Sequence, residues 1–468
     1  MFNFIGTSLF VIAFFYTIFP LLLYTNNRIK KEFLVYYSLS PYFIFFSTWS
    51  LTFFLYSIGQ DFLSFKTTII ILIFLFFSFL GFFLSIAKKF SKHNISILQI
   101  SSTRNNLSIP KLLSNQSRIE KVSFILILFQ VLSIYAMWIY ITSATKGGGL
   151  YLTYLLNGNL GELRRILAIG EYTVPLHAKI MMQFKYFNSF NIVFFTYLTF
   201  VFRYKKYKFF LFISILLSII FGIEHLARDQ AVWFLFLYII TYHVLYNKTL
   251  LSKNFFIIVL LSLAISVFVV QYRTSLDNKL NVFNQVRLYI SGGLSGLEAF
   301  VNGYPHSDSI TLEIKQKNYI TQNGFDFLND IELGKNIFKQ IYSYICIFIK
   351  NCYVYHHHEY IFYPISTNIY TGLRNFIQDF GYAGISIFAF IFGFLFMELY
   401  NYLFFKMEFN LFFYFLIAKI DWLMFKFFGG FTLPIKDILI VFFIVTLMNK
   451  ILKFNRKKSR IRNKFYGE

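Results

Sequence analysis

Charge is what this chain has least of. Only 14% of its 468 residues are Asp, Glu, Lys or Arg, against about 25% in a soluble domain. With 57% hydrophobic residues and a mean hydropathy of +0.59, no soluble surface of normal polarity can be built from it. Regular strand alternation is missing as well. There are no segments of about ten alternating residues parted by turns, so a β-barrel is not expected. Cysteine is nearly absent: Cys346 and Cys352 are the two. On a helix their spacing puts them on different faces. They read as two small buried hydrophobes, or as a disulfide in an oxidising compartment that the fold does not need. Residues 1–3 lack a basic n-region and no A-x-A site follows, so the first apolar run is expected to stay.

What is there in quantity is apolar and aromatic, including 67 phenylalanines. Crossing roughly 30 Å of hydrocarbon takes about 20 helical residues, and several runs are that long. In lipid every backbone N–H and C=O needs an internal partner, so these runs must be helices. The expected fold is all-α and polytopic, with about eleven spans near 4–24, 34–57, 67–87, 122–142, 183–202, 209–226, 229–247, 254–271, 381–404, 409–427 and 434–451.

The net charge of +23 would suggest nucleic acid on a soluble protein. In a membrane protein it reads as an orientation signal, because cytoplasmic loops gather Lys and Arg. No nucleic-acid partner is expected. Arg28, Lys30 and Lys31, the run from Lys88 to Lys121, Arg203 to Lys208, and the tail after Lys450 share one side if the N-terminus is outside and the C-terminus cytoplasmic. That side then holds 25 basic and 5 acidic residues, and the other 19 and 16.

Two long loops face outward. One covers 143–182, with Gly147-Gly148-Gly149 and an amphipathic stretch over 151–169. The other covers 272–380, a length that connections do not need and that is usually functional. Its apolar stretch at 337–349 is too short to span and predicts an interfacial or re-entrant helix. There is no inverted repeat of the transporter kind and no separate soluble domain. Residues 1–468 read as one integral membrane domain.

Few residues in such a chain can carry chemistry. Arg228 sits at a tight outward turn, in Glu224-His225-Leu226-Ala227-Arg228-Asp229-Gln230. It is either a snorkelling turn residue or an arginine aimed into an outward cavity, where its planar fork suits a phosphate. Arg273 opens the large loop, as an interfacial anchor or a second such arginine; Arg287 and Tyr289 follow. Before the ninth span, Tyr370, Arg374 and Gln378 fall at i, i+4 and i+8 and make one polar stripe, with Asn368, Thr371 and Asn375 beside it. That stripe is either a sugar- or phosphate-binding face or a solvated entry helix. The tyrosines of the long loop fit sugar faces or a membrane-surface belt.

Other groups say less. His356-His357-His358-Glu359 invites a metal, but adjacent residues on a helix point about 100° apart. Only His356 with Glu359 could share an ion, and a polar surface cluster is expected instead. Lys419 and Asp421 lie in or near the tenth span, either as functional charges or close to the interface.

One stretch resembles a known family. Residues 367–384 follow T-N-x-Y-T-x-x-R-x-F-x-x-D-F-G-x-x-G, which is similar to the signature of Wzy-type oligosaccharide repeat unit polymerases of O-antigen and capsule synthesis. The hydropathy layout agrees over the whole chain. The resemblance implies a multi-span glycosyltransferase with GT-C-like architecture in the bacterial inner membrane. It would join undecaprenyl-diphosphate-linked oligosaccharides at the periplasmic face, in lipopolysaccharide or other polysaccharide biosynthesis. The lipid diphosphate leaves, so no cofactor or nucleotide sugar is needed. Besides that substrate and membrane lipid, a chain-length-regulating co-polymerase is implied as a partner. Arg228, Arg273 and Arg374 would contact the diphosphate; Arg287, Tyr289, Asn368 and Tyr370 would contact glycan. Asp379 and Glu298 are the two candidate bases; Asp379 could equally orient backbone N–H groups.

Three other functions compete. A flippase for lipid-linked oligosaccharide would have short loops and mid-membrane charges, unlike the 272–380 loop. The related O-antigen ligases carry His-Asn where this chain reads Thr367-Asn368. A membrane acyltransferase would want a histidine inside a span, whereas these histidines lie in loops or at span ends.

Overall fold

A computed structural model describes residues 4–24, 30–58, 63–91, 116–145, 173–224, 228–246, 248–250, 282–302, 337, 372–405, 411–427 and 433–451. These residues fold as helices and turns. In chain order the helices are α1 (Phe4–Tyr24), α2 (Lys30–Ser38), α3 (Pro41–Ser57), α4 (Phe65–Ser91), α5 (Gln116–Ala144), α6 (Leu176–Met182), α7 (Tyr186–Phe202), α8 (Lys205–Glu224), α9 (Arg228–Tyr246), α10 (Val282–Asn302), α11 (Gly372–Phe405), α12 (Leu411–Lys426) and α13 (Ile435–Ile451). A 3-10 turn, Gln183–Lys185, joins α6 to α7. Five of the helices are long and apolar enough to cross a membrane: Phe4–Leu23, Phe65–Lys89, Gln116–Ala144, Lys205–Glu224 and Gly384–Phe405. The described residues are all helix and turn, and their long apolar helices mark a membrane protein. Of the expected spans, 254–271 lies outside the described residues, as do the stretch 151–169, Arg273 and the histidine cluster.

Three expectations change in form. The run 34–57 is two helices, not one. Ser40 is extended, its Oγ accepts from the Phe43 N–H, and Pro41 starts α3; a serine cap with proline at N1 is a strong restart signal. The helix that carries the span expected at 381–404 begins earlier, at Gly372, and breaks at Gly381, whose φ is 67°. A side chain there would strain the backbone. Finally, 272–380 is not simply a loop outside the bundle. Residues 282–302 form α10, which packs on α3, α4 and α11, with Leu294, Leu297 and Phe300 fully buried.

The most extensive helix contact is between α4 and α11. They run parallel, since Ser78 meets Gly393 and Ser85 meets Glu398 and Asn401. A Cβ on Gly81 would collide with the Phe390 carbonyl, and one on Gly393 would lie 2.5 Å from the Ser78 carbonyl. Small residues allow such close approach in membrane bundles, where packing replaces the hydrophobic effect between helices. Helices α1 and α3 run antiparallel, with Gly6 against Ser57 and Tyr16 against Phe46. Rings of Phe45, Phe74, Phe376, Phe392 and Phe427 fill the space between α3, α4 and α11.

A second group, α5, α7 and α8, is joined by polar side chains. Gln130 Nε2 donates to Asn188 Oδ1 and Ser218 Oγ, each at 3.0 Å, and Asn191 Nδ2 donates to the Leu126 carbonyl at 2.9 Å. Such bonds hold membrane helices together. Helix α12 touches α3 and α11 on one side and α7, α9 and α13 on the other, so it links the two groups. The outer faces are apolar, as with Phe124 and Leu128 on α5 and Phe442 and Phe443 on α13.

The helix directions bring the basic turns to one end. There Lys88 bonds Glu398 at 3.2 Å, Lys206 pairs with Glu120, and Lys248 donates to Tyr242. The opposite end carries the start of α4, the end of α10, the first segment of α11 and the start of α13.

Candidate functional site

The site is built on the start of α4. Ser64 caps that helix: its Oγ accepts from the Thr67 N–H at 3.2 Å, and its carbonyl from the Thr68 N–H at 3.0 Å. The same serine meets α10. Glu298 Oε2 accepts from the Ser64 N–H at 3.0 Å and lies 3.2 Å from its hydroxyl. Glu298 Oε1 accepts from Asn302 Nδ2 at 2.7 Å. Lys66 Nζ donates to the Val301 carbonyl at 3.3 Å, supplying a cation and a donor at the last turn of α10. The Glu298 carboxylate therefore ties α10 to the α4 cap.

The first segment of α11, before Gly381, lies against this pair. Leu373 and Ile377 are fully buried, and the Phe376 ring touches Phe74 and Phe427. Those contacts fix the roll of the segment, and the roll fixes Arg374. Its guanidinium lies over the Phe300 ring, 4.8 Å from the centroid. Arg374 is 2% exposed and Gln378 is fully buried. A solvated face is excluded for these two positions, which pack against protein.

Asp379 points elsewhere. Arg374 and Asp379 are five residues apart, about 140° around a helix. Asp379 Oδ2 accepts from the Ile337 N–H at 2.9 Å, and the Ile337 carbonyl accepts from the Leu433 N–H at 3.3 Å. The carboxylate thus joins α11 to two distant pieces of chain, one of which leads into α13.

Of the sequence candidates, Glu298 and Arg374 both engage the last turns of α10, Glu298 bonding the α4 cap and Arg374 lying over Phe300. Asp379 lies on another face of the same segment. Arg287 is half-buried on α10, and its carbonyl accepts from Ser291 Oγ at 2.8 Å. Arg228 and Tyr289 are placed only by their helices, at the start of α9 and within α10. Arg273, Asn368 and Tyr370 lie outside the described residues. No family model, curated protein or solved structure matches the chain.

Sequence reading passed over Ser64, Lys66, Asn302 and the role of Phe300. The stretch Ser64-Phe65-Lys66-Thr67 ahead of an apolar run was a legible helix start. The partnership with Glu298, across more than two hundred residues, had no local signal. Lys419 and Asp421 do not form a pair either. Residues two apart on a helix face opposite sides, and Lys419 Nζ bonds Asp437 Oδ2 on α13 at 3.1 Å.

Proposed function

We propose that this chain is a membrane glycosyltransferase that joins lipid-diphosphate-linked oligosaccharide repeat units, a polymerase of the Wzy type. The observation that carries the proposal is the buried Arg374 stacked on Phe300, at the bundle end away from the basic turns. An arginine costs much to bury in a membrane protein unless it has partners or serves a pathway. Its fork suits the two oxygens of a phosphate.

In the reaction, the bond between the sugar C1 and the diphosphate oxygen breaks. A new C1–O bond forms to a hydroxyl of the incoming unit, whose proton is released. Negative charge grows on the departing diphosphate, and a fixed guanidinium stabilises it more in the transition state than in the ground state. Arg374 takes that role, with Arg228 and Arg273 as further contacts on the same anion. Glu298 and Asp379 hold the helices that aim it. In this reading the chain crosses the bacterial inner membrane eleven times. The lysine- and arginine-rich end is cytoplasmic and the Arg374 end periplasmic. The gathering of basic turns at one end of the bundle supports that orientation.

Deletion of the gene, followed by gel separation of the surface glycan, tests the proposal. A polymerase mutant makes a cap of one repeat unit and no ladder. Complete loss of surface glycan would replace this reading with a flippase. Full-length chains stranded on the lipid carrier would replace it with a ligase.

A further inference from the structure

A second cationic grouping lies at the same end of the bundle, on the far side of α12 from Arg374. Its floor is Lys419, 8% exposed. The Lys419 ammonium bonds Asp437 Oδ2 at 3.1 Å and lies 4.6 Å from the ring centroid of Trp233. Trp233 is itself fixed, since its Nε1 donates to Ser189 Oγ at 3.1 Å. Lys185, in the turn before α7, is half-buried, with Asp437 and Lys436 both within its electrostatic reach. Lys436 is exposed at the rim. Lys185, Lys419 and Lys436 with Asp437 carry two more positive charges than negative.

Their arrangement is graded, from a buried ammonium through a half-buried one to an exposed one. Among the described residues, the Lys419–Asp437 ion pair is thus flanked on its more exposed side by two further ammonium groups. The start of α13 also lies there, and a helix N-terminus adds positive partial charge. The exposed apolar residues Leu439, Phe442 and Phe443 continue down α13 from the rim, as expected where a bilayer begins. Lysines are point charges that suit a phosphoryl group without demanding bidentate geometry.

We propose that Lys185, Lys419 and Lys436 form a phosphoryl-anion site at the membrane surface, occupied by a lipid phosphate headgroup or by free phosphate. The proposal is independent of the glycosyltransferase reading. Its test uses the full chain in lipid nanodiscs carrying photoactivatable phosphatidylglycerol, with crosslinks mapped to peptides. Crosslinks are expected on the peptides containing Lys185 and Lys436. In the Lys185→Gln/Lys436→Gln double variant these fall about thirtyfold, while those near Lys88 and Lys89 persist. Crosslinks that resist excess inorganic phosphate identify the lipid as ligand. Calorimetric binding of inorganic phosphate, lost in the same variant, identifies free phosphate. A third variant, Asp437→Asn, removes the opposing charge and should tighten binding of either anion, an effect that structural damage does not mimic. Anion binding at these peptides unchanged in the double variant, or absent for both probes, would overturn the proposal.

Discussion

The Arg374 guanidinium lies 4.8 Å from the centre of the Phe300 ring, a contact between the first segment of α11 and α10. A desolvated cation over an aromatic face is worth about 2 kcal/mol, and the ring limits where the fork can point. Replacing the charge and replacing the ring should therefore have separable effects.

Arg374→Ala should lower polymerisation by about 10²–10³-fold, the usual cost of removing one transition-state donor. Arg374→Lys keeps the charge and loses the planar fork, so it should recover only part of the activity. Ladder intensity on gels, normalised to protein in the membrane, gives the comparison. A full ladder from Arg374→Ala would remove this residue from the mechanism.

Phe300→Leu should lower thermal stability in detergent and weaken activity, because the ring is fully buried and its loss leaves a gap under the guanidinium. A Phe→Ala change at such a site costs about 3–5 kcal/mol, and Phe300→Leu should cost less. Activity that survives Phe300→Leu in full would mean that the ring does not aim Arg374.

Glu298→Gln separates a structural carboxylate from a catalytic base. The amide still accepts one bond from Ser64 but turns a donor toward the other partner. Loss of about 1–3 kcal/mol is expected, with activity falling only as far as folded protein does. Lost activity at unchanged melting temperature would make Glu298 the base.

Asp379→Asn should be mild and Asp379→Ala severe. Asparagine can still accept the Ile337 N–H through its carbonyl oxygen, whereas alanine leaves that buried donor unmet at about 1–3 kcal/mol. Thermal unfolding of both variants settles the order. Inactivity of Asp379→Asn in a stable protein would show that the ionised carboxylate takes part in chemistry.

Gly381→Ala puts a Cβ on a backbone with φ of 67° and ψ of −177°, at a cost of about 1–3 kcal/mol. The expected readout is a lower melting temperature together with reduced activity, since the segment carrying Arg374 is aimed through this break. A silent substitution would mean that the segment is held by its packing alone.

The helical nature of the chain was legible because apolar run length is a property of the chain itself. So was the placing of Arg374 and Gln378 on one face of a helix, which depends only on helical spacing. What buries them was not legible, because it depends on α10. Its stretch Ser291-Gly292-Gly293-Leu294-Ser295-Gly296 is too poor in large apolar groups to stand out in hydropathy. Yet the same small residues let a helix pack closely among others. The break at Ser40-Pro41 was written in its residue types and hidden by the apolar residues around it. The partner of Lys419 could not be read from its neighbourhood, because Asp437 comes from the next helix.

Gly81 and Gly393 act together as a detent. Where they meet, the α4 and α11 backbones touch with no side chain between them. On either side of Gly393 stand Phe392 and Phe394, and beside Gly81 stand Leu80 and Phe82. Sliding α11 by one residue, about 1.5 Å along its axis, would drive a large side chain into the opposing backbone. The height of α11 is thereby indexed against α4. In a chain with 67 phenylalanines, two residues without side chains set how deep the Arg374 end sits in the bilayer.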